Sequence, residues 1–209
     1  GWHIECSAMS IKYLGKQFDI HTGAVDNIFP HHEDEIAQTE CFTGLRTVNL
    51  WVHGQHLLSD GVKMAKSSGN SFTLADIEAQ NIDPLAFRYL CLTVRFNTKL
   101  NFTFTSLKGA QQALLKLRHR IWEWSTLPQQ GQIDKQVIKE WGNRFMERVD
   151  DNLDMPGALS ITWQLARSNL PVQMKLNLIK NYDRILGLSI NTAPETSAIP
   201  GNIIKKISK

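Results

Sequence analysis

FDIHTGAVDNIFPHHEDEIAQTECFTGLRTVNLWV, residues 18–52, reads as strand, helix, strand. Phe18-Asp19-Ile20-His21 forms a brief strand ending at Thr22-Gly23. Pro30 stands where a helix begins, because its fixed φ and missing N–H suit a first turn. Ile36, Ala37 and Cys41 supply that helix with an inner face, and Gly44 ends it. Val48-Asn49-Leu50-Trp51-Val52 is the second strand. Helix and strand in alternation predict α/β layering around a mostly parallel sheet. Such sheets collect ligands at the carboxyl ends of their strands. Here those ends are the loops starting at His21 and His53.

Upstream, Ile4, Met9, Ile11 and Leu14 pattern a short amphipathic helix closed by Gly15. Past residue 70 the character changes. Asp83-Pro84 reads as a cap and first turn, leading into a helix through Leu85, Phe87, Leu90 and Leu92. From Ser106 the pattern is purely helical: Leu107, Ala110, Leu114, Leu117, Ile121 and Trp124 recur at steps of three and four. Leu127-Pro128 and Gly131 break that run, and Ile133, Val137, Trp141, Phe145, Val149 and Leu153 make a second stripe. Pro156-Gly157 and Pro171 separate two further helices, the last holding Met174, Leu178, Tyr182 and Ile185. Four helices with short links predict a bundle. The tail from Asn191 reads as a linker with a cut end.

Hydrophobic content of 42% suits a globular core. The formal charge of +3, from 23 basic and 20 acidic residues, is too mild to argue for nucleic acid by itself. No run approaches the roughly 18 apolar residues of a membrane span, and the opening Gly1-Trp2-His3-Ile4-Glu5-Cys6 has no secretory-signal pattern. Cys6, Cys41 and Cys91 are odd in number and widely spaced, which favours a reducing cytoplasm over a disulfide framework. The chain opens without an initiator Met and inside a patterned segment, so it is expected to begin within something longer.

Three groups of residues carry chemistry. His31 and Glu35 lie one turn apart on one helix face, and Cys6 adds a thiolate, a donor set that suits zinc. The other reading is a helix start in which Glu33, Asp34 and Glu35 oppose the positive end of the dipole and Cys6 is a small core residue. Lys63-Met64-Ala65-Lys66-Ser67, closed by Ser68-Gly69-Asn70, either holds phosphate oxygens or is a solvated loop. Six of the seven histidines (His3, His21, His31, His32, His53 and His56) fall in the first 56 residues, a crowding that suggests a polar pocket.

Taken together, GWHIECSAM (residues 1–9), FPHHEDEIAQ (29–38) and KMAKS (63–67) resemble, in order and spacing, the signatures of the cysteinyl-tRNA synthetase family. DNLDMPGAL (151–159) and YDRILGL (182–188) resemble that family's helical domain. The resemblance implies an α/β fold, the second half of a class I synthetase Rossmann-like catalytic domain, followed by an all-α helical bundle. It divides the chain at 1–70 (catalytic half), 71–105 (a connecting segment that meets the tRNA stem), 106–190 (bundle) and 191–209 (linker or truncated tail). The implied activity joins cysteine to ATP as cysteinyl-adenylate and then to tRNA(Cys). Cys6, His31 and Glu35 become ligands of a zinc ion, Zn2+, that selects the substrate thiol, with a fourth protein ligand outside this chain. Trp2, His21 and Asp26 match positions lining the cysteine pocket, Asp26 facing the substrate ammonium. Lys66, assisted by Lys63, matches the group that meets ATP, a substrate carried with Mg2+.

The sequence departs from the family pattern in three places. Ala65 replaces the usual serine of the lysine loop, and Thr22 and Ala24 stand where glycines are common. The N-terminal half of the catalytic domain, with its histidine-glycine ATP signature, is not in these residues, so the chain is expected to be inactive alone. Two further readings stand beside this one: a cysteine–aminosugar ligase of mycothiol synthesis, and a non-catalytic synthetase remnant that binds RNA or a partner.

Overall fold

The computed structural model describes residues 1–65, 67, 69–128 and 133–190. The chain divides into two compact units: Gly1–Met64 with Phe96–Asn101, and Ala65–Arg95 with the residues from Phe102 onward.

In the first unit α1 (His3–Leu14) stops at Gly15, whose φ of 94° is one that a β-carbon disfavours. β1 (Phe18–Ala24) and β2 (Val48–Gly54) pair in parallel, with Phe18 opposite Val48 and Ala24 opposite Gly54. The crossover between them carries α2 (Glu33–Thr43), closed by Gly44 in the left-handed conformation. Strand, helix and parallel strand therefore follow in the expected order. β1 runs on to Ala24, past its expected end at Thr22-Gly23, because pairing with β2 continues that far. Pro30 does not open α2 directly. It lies in a π-type turn, Ile28–His32, after a 3₁₀ turn at Val25–Asn27, and its peptide bond to Phe29 is cis.

The expected inner face of α2 is corrected. Ala37 and Cys41 are exposed and Ile36 is only half-buried. The buried stripe is His32, Glu35 and Thr39, spaced three and four apart. Apolarity misjudged this face because α2 turns its polar side inward, toward a cluster of polar groups. A short antiparallel sheet, with β3 (Leu57–Ser59) between β4 (Val62–Lys63) and β5 (Leu100–Phe102), completes the strands. Runs of two and three residues are too short for a period-2 signal, so the sequence did not reveal them.

In the second unit α3 (Leu74–Glu78) and α4 (Pro84–Cys91) lead into α5 (Phe104–Thr126), whose start is a capping box between Thr103 and Ser106. Asp83 caps α4 as expected, accepting from the Leu85 N–H at 2.8 Å. All six residues of the first predicted stripe, Leu107 to Trp124, are buried. α6 (Lys135–Asp150) departs from expectation: of its stripe only Phe145 is fully buried, and Ile133 and Leu153 fall outside the helix and are exposed. α7 (Met155–Arg167) holds Pro156 in its first turn rather than after a break, where the absent N–H costs no hydrogen bond. α8 (Val172–Leu186) buries Met174, Leu178 and Tyr182. Helices α5 to α8 pack on one another as the bundle. The expected break at Gly131 and the tail from residue 191 lie outside the described residues.

Candidate functional site

α1 packs on α2, and this brings Cys6 to the His31–Glu35 face. One ligand atom from each of Cys6, His31 and Glu35 lies within 4.8 Å of the others. The four-residue step on the helix sets His31 Nε2 2.9 Å from Glu35 Oε1. The two approach closely, but their angles do not make a hydrogen bond, so the buried Oε1 has an ion-pair contact and no hydrogen-bond donor. A buried carboxylate oxygen without a donor is costly, and a cation placed there would relieve the cost. Burial pushes the Glu35 carboxyl up, against the opposing charges of His31 and His3. Burial, and then the charges of Glu35 and Glu5, push the Cys6 thiol up. A cation between thiol, imidazole and carboxylate reverses that penalty, since it favours the anionic form of both acids. The donor set fits zinc.

Two side-chain hydrogen bonds tie α1 to α2 beside this trio. Ser7 Oγ donates to Gln38 Oε1 at 3.1 Å, and Gln38 Nε2 donates to His3 Nδ1 at 2.6 Å. The opposite side of Glu35 meets His21, whose Nε2 is 3.6 Å from Oε2, and His21, His32 and Glu35 form a second compact trio. His32 Nδ1 lies 2.8 Å from His53 Nε2, so one ring donates to the other. Burial, reinforced by His21, His53 and His31, lowers the His32 imidazole to about 4, and burial lowers His21 too. Both rings are therefore neutral near pH 7. Trp51 lies beneath them, its ring centre 4.6 Å from His21 and 4.7 Å from His32.

At the carboxyl ends of β1 and β2 a separate cluster forms. His56 Nε2 is 2.7 Å from Asp26 Oδ1, and Lys63 Nζ donates to Asp26 Oδ2 at 2.5 Å. The Lys63 hydrogen bond holds the Asp26 carboxyl below its ordinary range. Trp2 is 73% exposed, with its ring edge-on to His31 at 6.0 Å. Lys66 lies outside the described residues. Thus Cys6, His31, Glu35 and His21 come together with Trp2 at their edge, and Asp26 meets Lys63 a short way along the chain's own strand ends.

A family model described as the tRNA synthetases class I (C) catalytic domain matches residues 1–112, just over half of the 209. The chain belongs to that family. Among relatives of this class I chain, "Cysteine--tRNA ligase 1" of Burkholderia lata is 46% identical over 191 residues, covering 91% of this chain and 39% of the relative. "Cysteine--tRNA ligase" of Opitutus terrae is 53% identical over 118 residues, covering 56% and 26%. The methionyl-tRNA synthetase of Mycobacterium tuberculosis, solved with methionyl-adenylate, shares the fold at a TM-score of 0.53 and 18% identity, covering 89% of this chain and 43% of that one. The chain spans about two fifths of the length of the Burkholderia relative.

Within this synthetase framework, sequence reading passed over Gln38 and Trp51 and left His56 as one of a crowd. The available signal was the register. Once Ala24 is paired with Gly54, every residue of the first strand end faces the residue thirty later, and Asp26 faces His56.

Proposed function

We propose that the protein carrying this chain activates cysteine with ATP to cysteinyl-adenylate and transfers it to tRNA(Cys); the relatives' name, cysteine–tRNA ligase, supports the joining of cysteine to tRNA. The observation that carries this reading is the convergence of Cys6, His31 and Glu35, whose buried Oε1 has no hydrogen-bond donor, on one point. These three would hold zinc, with a further protein ligand from outside these residues. Zinc, when bound, supplies a soft acceptor that prefers a thiolate to the hydroxyl of serine, a discrimination larger than one methylene in a pocket affords. Neutral His21 and His32 line the same place without adding charge, and Trp2 stands at its edge. Asp26, held ionised, takes the substrate ammonium. Lys63 and Lys66 meet the phosphates of ATP, which arrives with Mg2+. Residues 71–105 meet the tRNA stem through its phosphates, which position rather than specify.

No helix among the described residues is long and apolar enough to cross a membrane. With its three free thiols, the protein suits a reducing cytoplasm. The 209 residues alone are inactive in this reading, since their first unit leaves Trp2, Tyr13, Phe29 and Phe42 exposed, surface that calls for further chain.

The test is cysteine-dependent exchange of pyrophosphate into ATP, run with and without zinc. It is run on the 209 residues alone and on them mixed with a separately produced front half of a relative. Activity only in the zinc-containing mixture, lost with Cys6→Ser, supports the reading. Silence from an assembled mixture would favour a remnant without catalysis. Transfer to an aminosugar in place of tRNA would point instead to the aminosugar ligase.

A further inference from the structure

Asp26 has two oxygens, and each meets a different side chain. The parallel register that pairs Ala24 with Gly54 sends both strand ends out side by side, so that Asp26 and His56, two residues on in each, come into contact. His56 Nε2 is 2.7 Å from Oδ1. This is a close polar approach rather than an aligned hydrogen bond, and it sets the His56 ring against that oxygen. Oδ2 accepts from Lys63 Nζ at 2.5 Å. That Nζ is a primary alkylammonium, the same functional group as the α-ammonium of an amino acid. Lys63 reaches Asp26 from β4, the second strand of the β3–β4 hairpin, and so stands in for the ligand from within the chain's own first unit.

We propose that His56 is a positioning residue for amino-acid binding: its ring, set against Oδ1 of Asp26, holds the carboxylate so that Oδ2 is presented to one ammonium at a time, Lys63 before the amino acid binds and the amino acid's α-ammonium afterwards. The inference rests on the assignment of Asp26 to the substrate ammonium. It has a consequence that a purely ATP-directed lysine lacks. Lys63 competes with the amino acid for Oδ2.

The experiment uses the zinc-loaded protein that carries this chain, with pyrophosphate exchange at varied cysteine and varied ATP. Equilibrium binding of cysteine without ATP is measured alongside. His56→Leu is expected to raise the KM for cysteine about two- to fivefold, as loss of a partly exposed charged contact does. It is expected to leave the KM for ATP and the zinc content as they were. His56→Gln, which keeps a polar side chain against Oδ1, restores most of the loss. Lys63→Met tightens cysteine binding without ATP by about two- to fivefold, the size of an exposed ion pair, while slowing exchange. A cysteine KM indifferent to His56→Leu, no rescue by glutamine, or weaker cysteine binding in Lys63→Met would each overturn the proposal. Asp26→Asn separates the levels. If it leaves the cysteine KM unchanged, the ammonium assignment falls and the proposal with it. If it raises that KM while His56→Leu does not, the positioning role alone is lost.

Discussion

A β-carbon placed on Gly23 would stand 2.5 Å from His32 Cε1, 2.9 Å from its Nε2 and 3.0 Å from the Asn27 amide nitrogen. Ordinary packing does not accept such approaches, so the ring has to move. Gly23→Ala is therefore expected to displace His32, stretch its 2.8 Å bond to His53 and destabilise the first unit by about 1–3 kcal/mol. Urea melts followed with imidazole nitrogen shifts would check this; an unmoved His32 resonance would show that the space opens elsewhere. The neighbours Thr22 and Ala24 already carry β-carbons. Alternation along β1 sends them to the face opposite His21 and Gly23, and Thr22 is exposed. The crowded position is Gly23. Residue identity made His31 and Glu35 legible as a pair, because a four-residue step on a helix is local geometry. The lack of a hydrogen-bond donor at Glu35 Oε1 was not legible, since it depends on angles and on what α1 brings against α2.

Between α6 and α8 the decisive contact is Tyr182, whose ring stacks on Phe145 at 4.0 Å and whose hydroxyl donates to the Trp141 carbonyl at 2.7 Å. Burial pushes this phenol well above its ordinary value, with Arg144 opposing. Below about pH 10, the ordinary tyrosine value, folded and unfolded chains both keep the proton, and the contribution to stability is complete. Above it the unfolded chain releases the proton while the folded one holds it, so stability falls as pH rises. Tyr182→Phe is expected to lose about 0.5–1.5 kcal/mol at neutral pH and to show a shallower decline above pH 10. Tyr89, whose phenol is also raised by burial, keeps some slope in the variant. Melts at a series of pH values would decide it, and equal slopes would assign the alkaline sensitivity elsewhere. At this scale α5 was readable because its whole stripe lies between its caps. α6 was not, because Asp134 caps it after Ile133 and the chain turns left-handed at Asn152 and Leu153, leaving both ends of the apolar pattern outside.

Across the whole molecule the two units differ in what they bury. Among the described residues the only fully buried apolar side chain of the first unit is Val48; its other buried side chains, Ser7, His32, Glu35, Thr39, Thr47 and Ser59, are polar. The second unit buries Leu107, Leu114, Leu117, Ile121, Leu165, Leu178, Ile179 and Leu186 almost completely. Apolar burial is the main stabilising contribution, and local opening follows where it is scarce. Amide exchange is therefore expected to be slow in α5, α7 and α8 and faster in β1 and β2. Added zinc should slow exchange in the first unit, by RT ln(1 + [Zn]/Kd), and leave the bundle unchanged. Uniform protection before zinc would contradict this account, as would a zinc effect confined to the bundle.

Local periodicity and capping chemistry were enough to read the strand–helix–strand order of residues 18–52, the α5 stripe and the caps at Asp83 and Gly44, since each depends on residues within a few positions of one another. The inward face of α2, the β3–β4 hairpin and the meeting of Asp26, His56 and Lys63 were settled only in three dimensions. Burial of a polar stripe depends on what packs against it. Strands of two or three residues leave no period to detect, and contact between residues thirty and thirty-seven apart exists only once parallel pairing has chosen its register.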